Sequence, residues 1–66
     1  MYNRLYITRA WRGFTQQKLA ECAGVSRSTI CFLERTGGYP SMRIGIQLCR
    51  ALECSFEEVF PVEILL

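Results

Sequence analysis

Arg27, Ser28, Thr29 and Phe32 are the side chains with the clearest chemistry in this chain, and that chemistry is hydrogen bonding and contact rather than bond making. They follow Ser26, a candidate helix N-cap. A helix opening at Arg27 presents a guanidinium and two hydroxyls at its leading end. A guanidinium can bridge O6 and N7 of guanine, worth about 1–3 kcal/mol of discrimination per good pair, and a hydroxyl can serve base or backbone. Ser28 and Phe32 stand i, i+4 on one outer face. Turned outward, Phe32 has a use against a thymine methyl; turned inward or toward a second copy, it is a core or dimer residue. Cys31 flanks the same face.

Groups for covalent chemistry are scarce. The chain has no His and no Asp, so the commonest general base and the usual nucleophilic triads are missing. The adjacent pair Glu57-Glu58 belongs to Ser55-x-x-Glu58, a capping box. Cys22, Cys31, Cys49 and Cys54 include no C-x-x-C spacing and no His to complete a metal set. They read as structural or incidental thiols, with redox sensing and metal binding as lesser alternatives. Gly37-Gly38 alone is no phosphate loop. No enzyme activity, metal or cofactor is expected.

Residues 15–35 carry the elements that must place these side chains. Thr15 is an N-cap candidate, and Leu19, Ala20 and Ala23 share one helical face. Gly24 closes that helix and Val25 sits in the turn. Ser26 opens the next helix, whose inner face is Ile30 and Leu33. Two helices joined by a short Gly-containing turn form a helix-turn-helix, and the second can enter a major groove about 12 Å wide. Around this motif, helices are expected over 4–12 (capped by Asn3), 16–23, 27–35, 42–52 (capped by Ser41) and 56–60. Met42, Gly45, Cys49 and Leu52 form one inner stripe of the fourth, widened by Ile46 and Leu48. Residues 36–40, with two Gly and a Pro, are the clearest break.

The ordered set Asn3-Arg4-Leu5, Arg9, Gly13-Phe14-Thr15-Gln16, Leu19-Ala20-Glu21, Gly24 to Ile30, Leu33-Glu34-Arg35, Pro40-Ser41, Ala51-Leu52 and Ser55 to Phe60 resembles the Cro/CI-type (XRE) family of helix-turn-helix DNA-binding proteins. The resemblance implies an all-α, five-helix, lambda-repressor-like domain over residues 1–66 with a short C-terminal tail. It also implies a sequence-specific transcriptional regulator: a repressor that binds a palindromic operator as a homodimer. In the family the position of Gln16 contacts a phosphate, a role suited to a helix N-terminus, and Gln17 is grouped with it. The pair matching Arg9 and Glu34 forms a partly buried salt bridge in the family; the competing reading makes Arg9 a phosphate contact. Arg35, Gly38, Tyr39, Ser41 and Arg43 are further backbone-phosphate candidates, which set register without reading sequence. Thr36 stands where the family commonly has Gly, so the path of this loop departs from the pattern.

Charge agrees with a nucleic-acid partner. Residues 1–50 hold eight basic side chains against two acidic ones, while residues 51–66 hold four Glu and no base; a phosphate-facing body with an acidic far end is expected of a small DNA binder. With 66 residues there is room for one domain, burying only about 60% of its unfolded surface. No apolar run approaches the roughly 20 residues of a membrane helix, and a cytoplasmic location is expected.

Two features exceed what DNA contact requires. The end of the chain, Pro61 to Leu66, is mostly apolar; it frays, packs back, or pairs with a second copy, and Phe56, Phe60, Val62, Ile64, Leu65 and Leu66 are the dimer candidates. In the first helix, Tyr6, Ile7 and Trp11 occupy positions usually charged in the family, and Thr8 replaces a usual Leu. Either that helix is rotated or its outer face is covered by another chain. A protein-interaction module, such as an antitoxin that binds a partner protein, is therefore the alternative function.

Overall fold

Short polar side chains start the helices of the computed structural model, which describes residues 3–62. Thr15, Ser26, Ser41 and Ser55 each accept a hydrogen bond from the backbone N–H three residues on, at 3.0, 3.1, 3.3 and 3.3 Å. Each such cap contributes about 1 kcal/mol. They open α2 (Gln16–Ala23), α3 (Arg27–Thr36), α4 (Met42–Leu52) and α5 (Phe56–Val59). The first helix, α1 (Leu5–Trp11), starts differently: Arg4 holds the cap position, and Asn3 Oδ1 accepts from the Leu5 N–H at 3.0 Å. The described residues are all-helical outside their loops, as the all-α reading requires.

One apolar cluster joins the five helices. Leu5, Leu19, Ala20, Ala23, Ile30, Leu33, Leu48, Cys49, Leu52, Val59 and Phe60 are buried, with Phe14, Val25, Ile44, Ala51, Cys54 and Phe56 packed against them. Burial holds the Cys49 thiol above its ordinary range, with Cys54 and Glu58 adding to the shift. The inner stripe of α4 is narrower than its apolar residues suggest. Gly45, Leu48, Cys49 and Leu52 face in, whereas Met42 and Ile46 are exposed. At 3.6 residues per turn the arc of these four centres between Leu52 and Gly45 and ends at Cys49, which leaves 42 and 46 beyond its edge.

Of the dimer candidates, Phe56 is half-buried and Phe60 lies in the protomer's own core. Phe60 is fully buried in its own protomer, its ring centroid 5.2 Å from that of Phe56 and 5.8 Å from that of Tyr39. The Phe56 ring lies on the backbone of α4 at Gly45, where a Cβ would overlap the ring edge. A helix of four residues has too little periodicity to show which of its rings face in. Gly45→Ala should therefore destabilise the fold despite alanine's higher helix propensity. Overpacking costs about 1–3 kcal/mol, against a propensity gain of about 1 kcal/mol. A thermal melt checks this, and Phe56→Leu combined with Gly45→Ala should lose less than the sum of the two single changes.

The capping box of α5 carries a pH dependence. The Ser55 N–H donates to Glu58 Oε1 at 2.8 Å, and this bond, followed by the one involving the Ser55 side chain, holds the Glu58 carboxyl below the ordinary glutamate range. A carboxyl depressed in the folded state stabilises fully above its unfolded value and loses that contribution as pH falls through the folded one. Wild type should lose stability on acidification faster than Glu58→Gln, with the two denaturation curves drawing together in acid. Parallel curves at every pH would contradict this.

Candidate nucleic-acid interface

The turn between α2 and α3 fixes how α3 projects. Gly24 caps α2 at a φ of 74°, its N–H returning to the Ala20 carbonyl, and Val25 packs under the turn. With Ile30 and Leu33 buried in the shared core, where α3 meets α2 and α1, the opposite side of α3 is left to solvent. Arg27, Ser28, Cys31, Phe32 and Arg35 are exposed along it. Two ion pairs form among the described residues, and neither takes Arg27.

Phe32 is a ridge between two hollows. Arg27, Cys31 and Arg35 lie on one side, around a cavity of about 380 Å³. Tyr39, Pro40 and Ser41 lie on the other, around one of about 350 Å³. Phe32 is 54% exposed, which removes the core reading of this residue, and the Arg35 guanidinium stands 5.7 Å from its ring centre. Thr29 is only half exposed, and its hydroxyl lies 2.8 Å from Ser26 Oγ. Of the three polar base-reading candidates, Arg27 and Ser28 are exposed and Thr29 alone is half-buried.

Behind α3, Arg9 and Glu34 meet as a two-point ion pair, Nε to Oε2 at 2.6 Å and Nη2 to Oε1 at 3.1 Å. Arg9 Nη1 also donates to the Phe14 carbonyl at 2.8 Å. The bond to Glu34 raises the Arg9 pKa above its ordinary value, so this guanidinium stays charged and committed to the interior. Gln16 joins the same group, its Nε2 donating to Glu34 Oε1 at 3.0 Å. One amide hydrogen of Gln16 is left for a phosphate. Gln17 is exposed and donates to Glu21 at 3.1 Å.

The loop after α3 engages polar groups of two phosphate candidates within the protein. α3 runs one residue past its expected end, to Thr36, and closes at Gly37 with φ 69°. The left-handed cap that the family pattern puts after Arg35 is thus displaced by one position. The Thr36 hydroxyl donates to the Phe32 carbonyl at 2.8 Å and accepts the Gly38 N–H at 3.2 Å. Gly38 therefore has no free N–H to offer a phosphate. The Tyr39 hydroxyl is likewise committed, donating to the Pro61 carbonyl. Arg35, Ser41 and Arg43 remain exposed. Ser41 Oγ accepts from the Ile44 N–H and keeps its own hydrogen for a second partner.

Sequence reasoning missed Asn3, whose side chain joins α1 to the far end of α3 and to this loop. It had no local signal beyond a cap, because both acceptors lie more than 25 residues away. On α1, Tyr6, Ile7 and Trp11 are 60, 66 and 86% exposed. The helix is not rotated inward, and its apolar outer face is open in the protomer. Val62 is exposed as well; Ile64, Leu65 and Leu66 lie outside the described residues. Among the described residues no group of acidic, Cys or His side chains forms a metal cage, and no helix is long and apolar enough to cross a membrane.

The helix-turn-helix family profile matches residues 5–59. The chain belongs to the helix-turn-helix family of XRE, Cro/CI-like type. Relatives agree over nearly the whole length. An uncharacterized HTH-type transcriptional regulator, YgzD of Bacillus subtilis, is 35% identical over 63 residues and covers 96% of each chain. Another from Archaeoglobus fulgidus is 38% identical over 60 residues, 91% of this chain and 86% of that one. Among solved structures, the restriction-modification controller protein C.AhdI from Aeromonas hydrophila superposes with a TM-score of 0.77 at 31% identity, covering 83% of both chains. This helix-turn-helix protein is thus a DNA-binding transcriptional regulator by family, with α2 and α3 as its motif.

Proposed function

We propose that the protein is a sequence-specific repressor that binds a palindromic operator as a homodimer. Arg27, Ser28 and Phe32 read base edges in the major groove, with Thr29 at the margin. Gln16, Gln17, Arg35, Ser41 and Arg43 hold backbone phosphates. The observation that carries this reading is the exposed leading edge of α3, where Arg27 takes part in neither ion pair. One α3 reads only a few base pairs. Two related by a two-fold axis read half-sites about 34–36 Å apart, and this sets the need for a dimer.

Gel-shift titrations on DNA flanking its own coding region test the reading. One fragment should bind far more tightly than the rest, and damage to either half-site should weaken it. Binding should fall with log salt at about 0.9 per phosphate neutralised. Equal, weak binding to every fragment overturns it. The open apolar face of α1 favours a second reading, an antitoxin-like module that binds a partner protein. A stoichiometric partner that binds through Trp11 while DNA discrimination is absent would select that reading instead.

A further inference from the structure

We infer that Asn3 is a positioning residue for DNA binding: its side chain sets the α3–α4 loop so that Ser41 and Arg43 face a phosphate. The inference rests on the reading of the interface above. One short side chain spends both of its donors and one acceptor site on this junction. Oδ1 accepts from the Leu5 N–H at 3.0 Å, and Nδ2 donates to the Leu33 carbonyl at 3.0 Å and the Gly38 carbonyl at 2.6 Å. Asn3 thereby ties the start of α1 to the last turn of α3 and to the loop in one step.

The loop needs such a tie. It carries no ladder of its own, and its ends are two helices that must keep a fixed relation for phosphate contacts to set register. Gly38 is held from both sides, by Thr36 Oγ1 on its N–H and by Asn3 on its carbonyl. Ser41 and Arg43 follow within five residues, exposed at the start of α4. Without the Asn3 donor the Gly38 carbonyl turns to water, and the loop gains freedom that binding must remove again.

Asn3→Ser separates the two jobs. A serine hydroxyl can still accept from the N–H two residues on, but it is too short to donate to Leu33 and Gly38. The probe is a labelled 20-base-pair duplex of arbitrary sequence, titrated over a salt series, with a thermal melt alongside. Asn3→Ser should flatten the dependence of log affinity on log salt by about one, a loss of about tenfold at 0.1 M salt. Ser55→Ala, which weakens the fold at α5, should leave the slope unchanged. A stability loss with wild-type slope makes Asn3 merely structural and overturns the inference. Should Asn3→Ser fail to fold, Thr36→Val decides. It removes the other hold on Gly38 and should flatten the slope in the same way; an unchanged slope overturns the inference. A wild type that binds no duplex removes the DNA interface itself, and Asn3's role there with it.

Discussion

Arg9→Ala should cost about 3–5 kcal/mol of folding stability, because it leaves a buried carboxylate without its partner. Both side chains of the pair are largely out of water, 12% exposed for Arg9 and 8% for Glu34. Glu34 would keep only the neutral amide of Gln16, and the Phe14 carbonyl would lose its donor. Natural domains hold about 0.05–0.15 kcal/mol per residue in total, so a loss of this size in so short a chain is a large fraction of the whole. Arg9→Lys should recover only part of it, since an ammonium cannot serve both carboxylate oxygens and the Phe14 carbonyl in one plane. Replacing both partners with apolar residues of similar volume should be far milder than either single truncation. Urea denaturation of the set checks this. An Arg9→Ala protein with wild-type stability but weakened DNA binding would return Arg9 to the phosphate role and contradict the structural assignment.

Arg27→Ala should do the reverse. Arg27 is exposed and outside both ion pairs, so the melt should be almost unchanged. Discrimination between the preferred sequence and a scrambled duplex should fall by about 1–3 kcal/mol, the worth of one good bidentate base contact. Competition gel shifts measure this directly. Loss of affinity equal for both duplexes would mark Arg27 as a phosphate contact, and the reading of sequence would then have to lie elsewhere on α3. The two substitutions make opposite demands: Arg9 acts on the fold with the DNA surface intact, Arg27 on the DNA surface with the fold intact.

How much of this was legible in the sequence follows the range of each interaction. The caps at Thr15, Ser26, Ser41 and Ser55 were legible because acceptor and donor lie three residues apart. The inward faces of α2 and α3 were legible because their apolar residues fall at i, i+1 and i+4 (Leu19, Ala20, Ala23) and at i and i+3 (Ile30, Leu33), each behind a recognisable cap. Phe60 was not, since α5 is a single turn and its aromatic residues look alike from either side. Met42 and Ile46 misled for a related reason: apolar type does not by itself fix the arc that α4 buries.

The interface shows the same division. Arg27, Ser28, Phe32 and Arg35 follow from a cap and a helical period, and all are exposed on α3. The engagements of Gln16 with Glu34, of Tyr39 with Pro61 and of Asn3 with Gly38 span 18, 22 and 35 residues. Nothing local encodes them. Each takes up a polar group that sequence reasoning had offered to DNA or to a simple cap. Thr36 is the one local clue to the altered loop, because its hydroxyl satisfies the Gly38 N–H and lets α3 run one residue longer.

The outward edge of α3 is the surface proposed to meet the duplex. Amide chemical-shift mapping on ¹⁵N-labelled protein, titrated with its preferred duplex, tests it most directly. The largest shifts should fall at residues 26–32 and 41–43, with the outer face of α1 unaffected by DNA itself. Shifts confined to α1 and α5, with the amides from Arg27 to Phe32 unmoved at saturation, would contradict it.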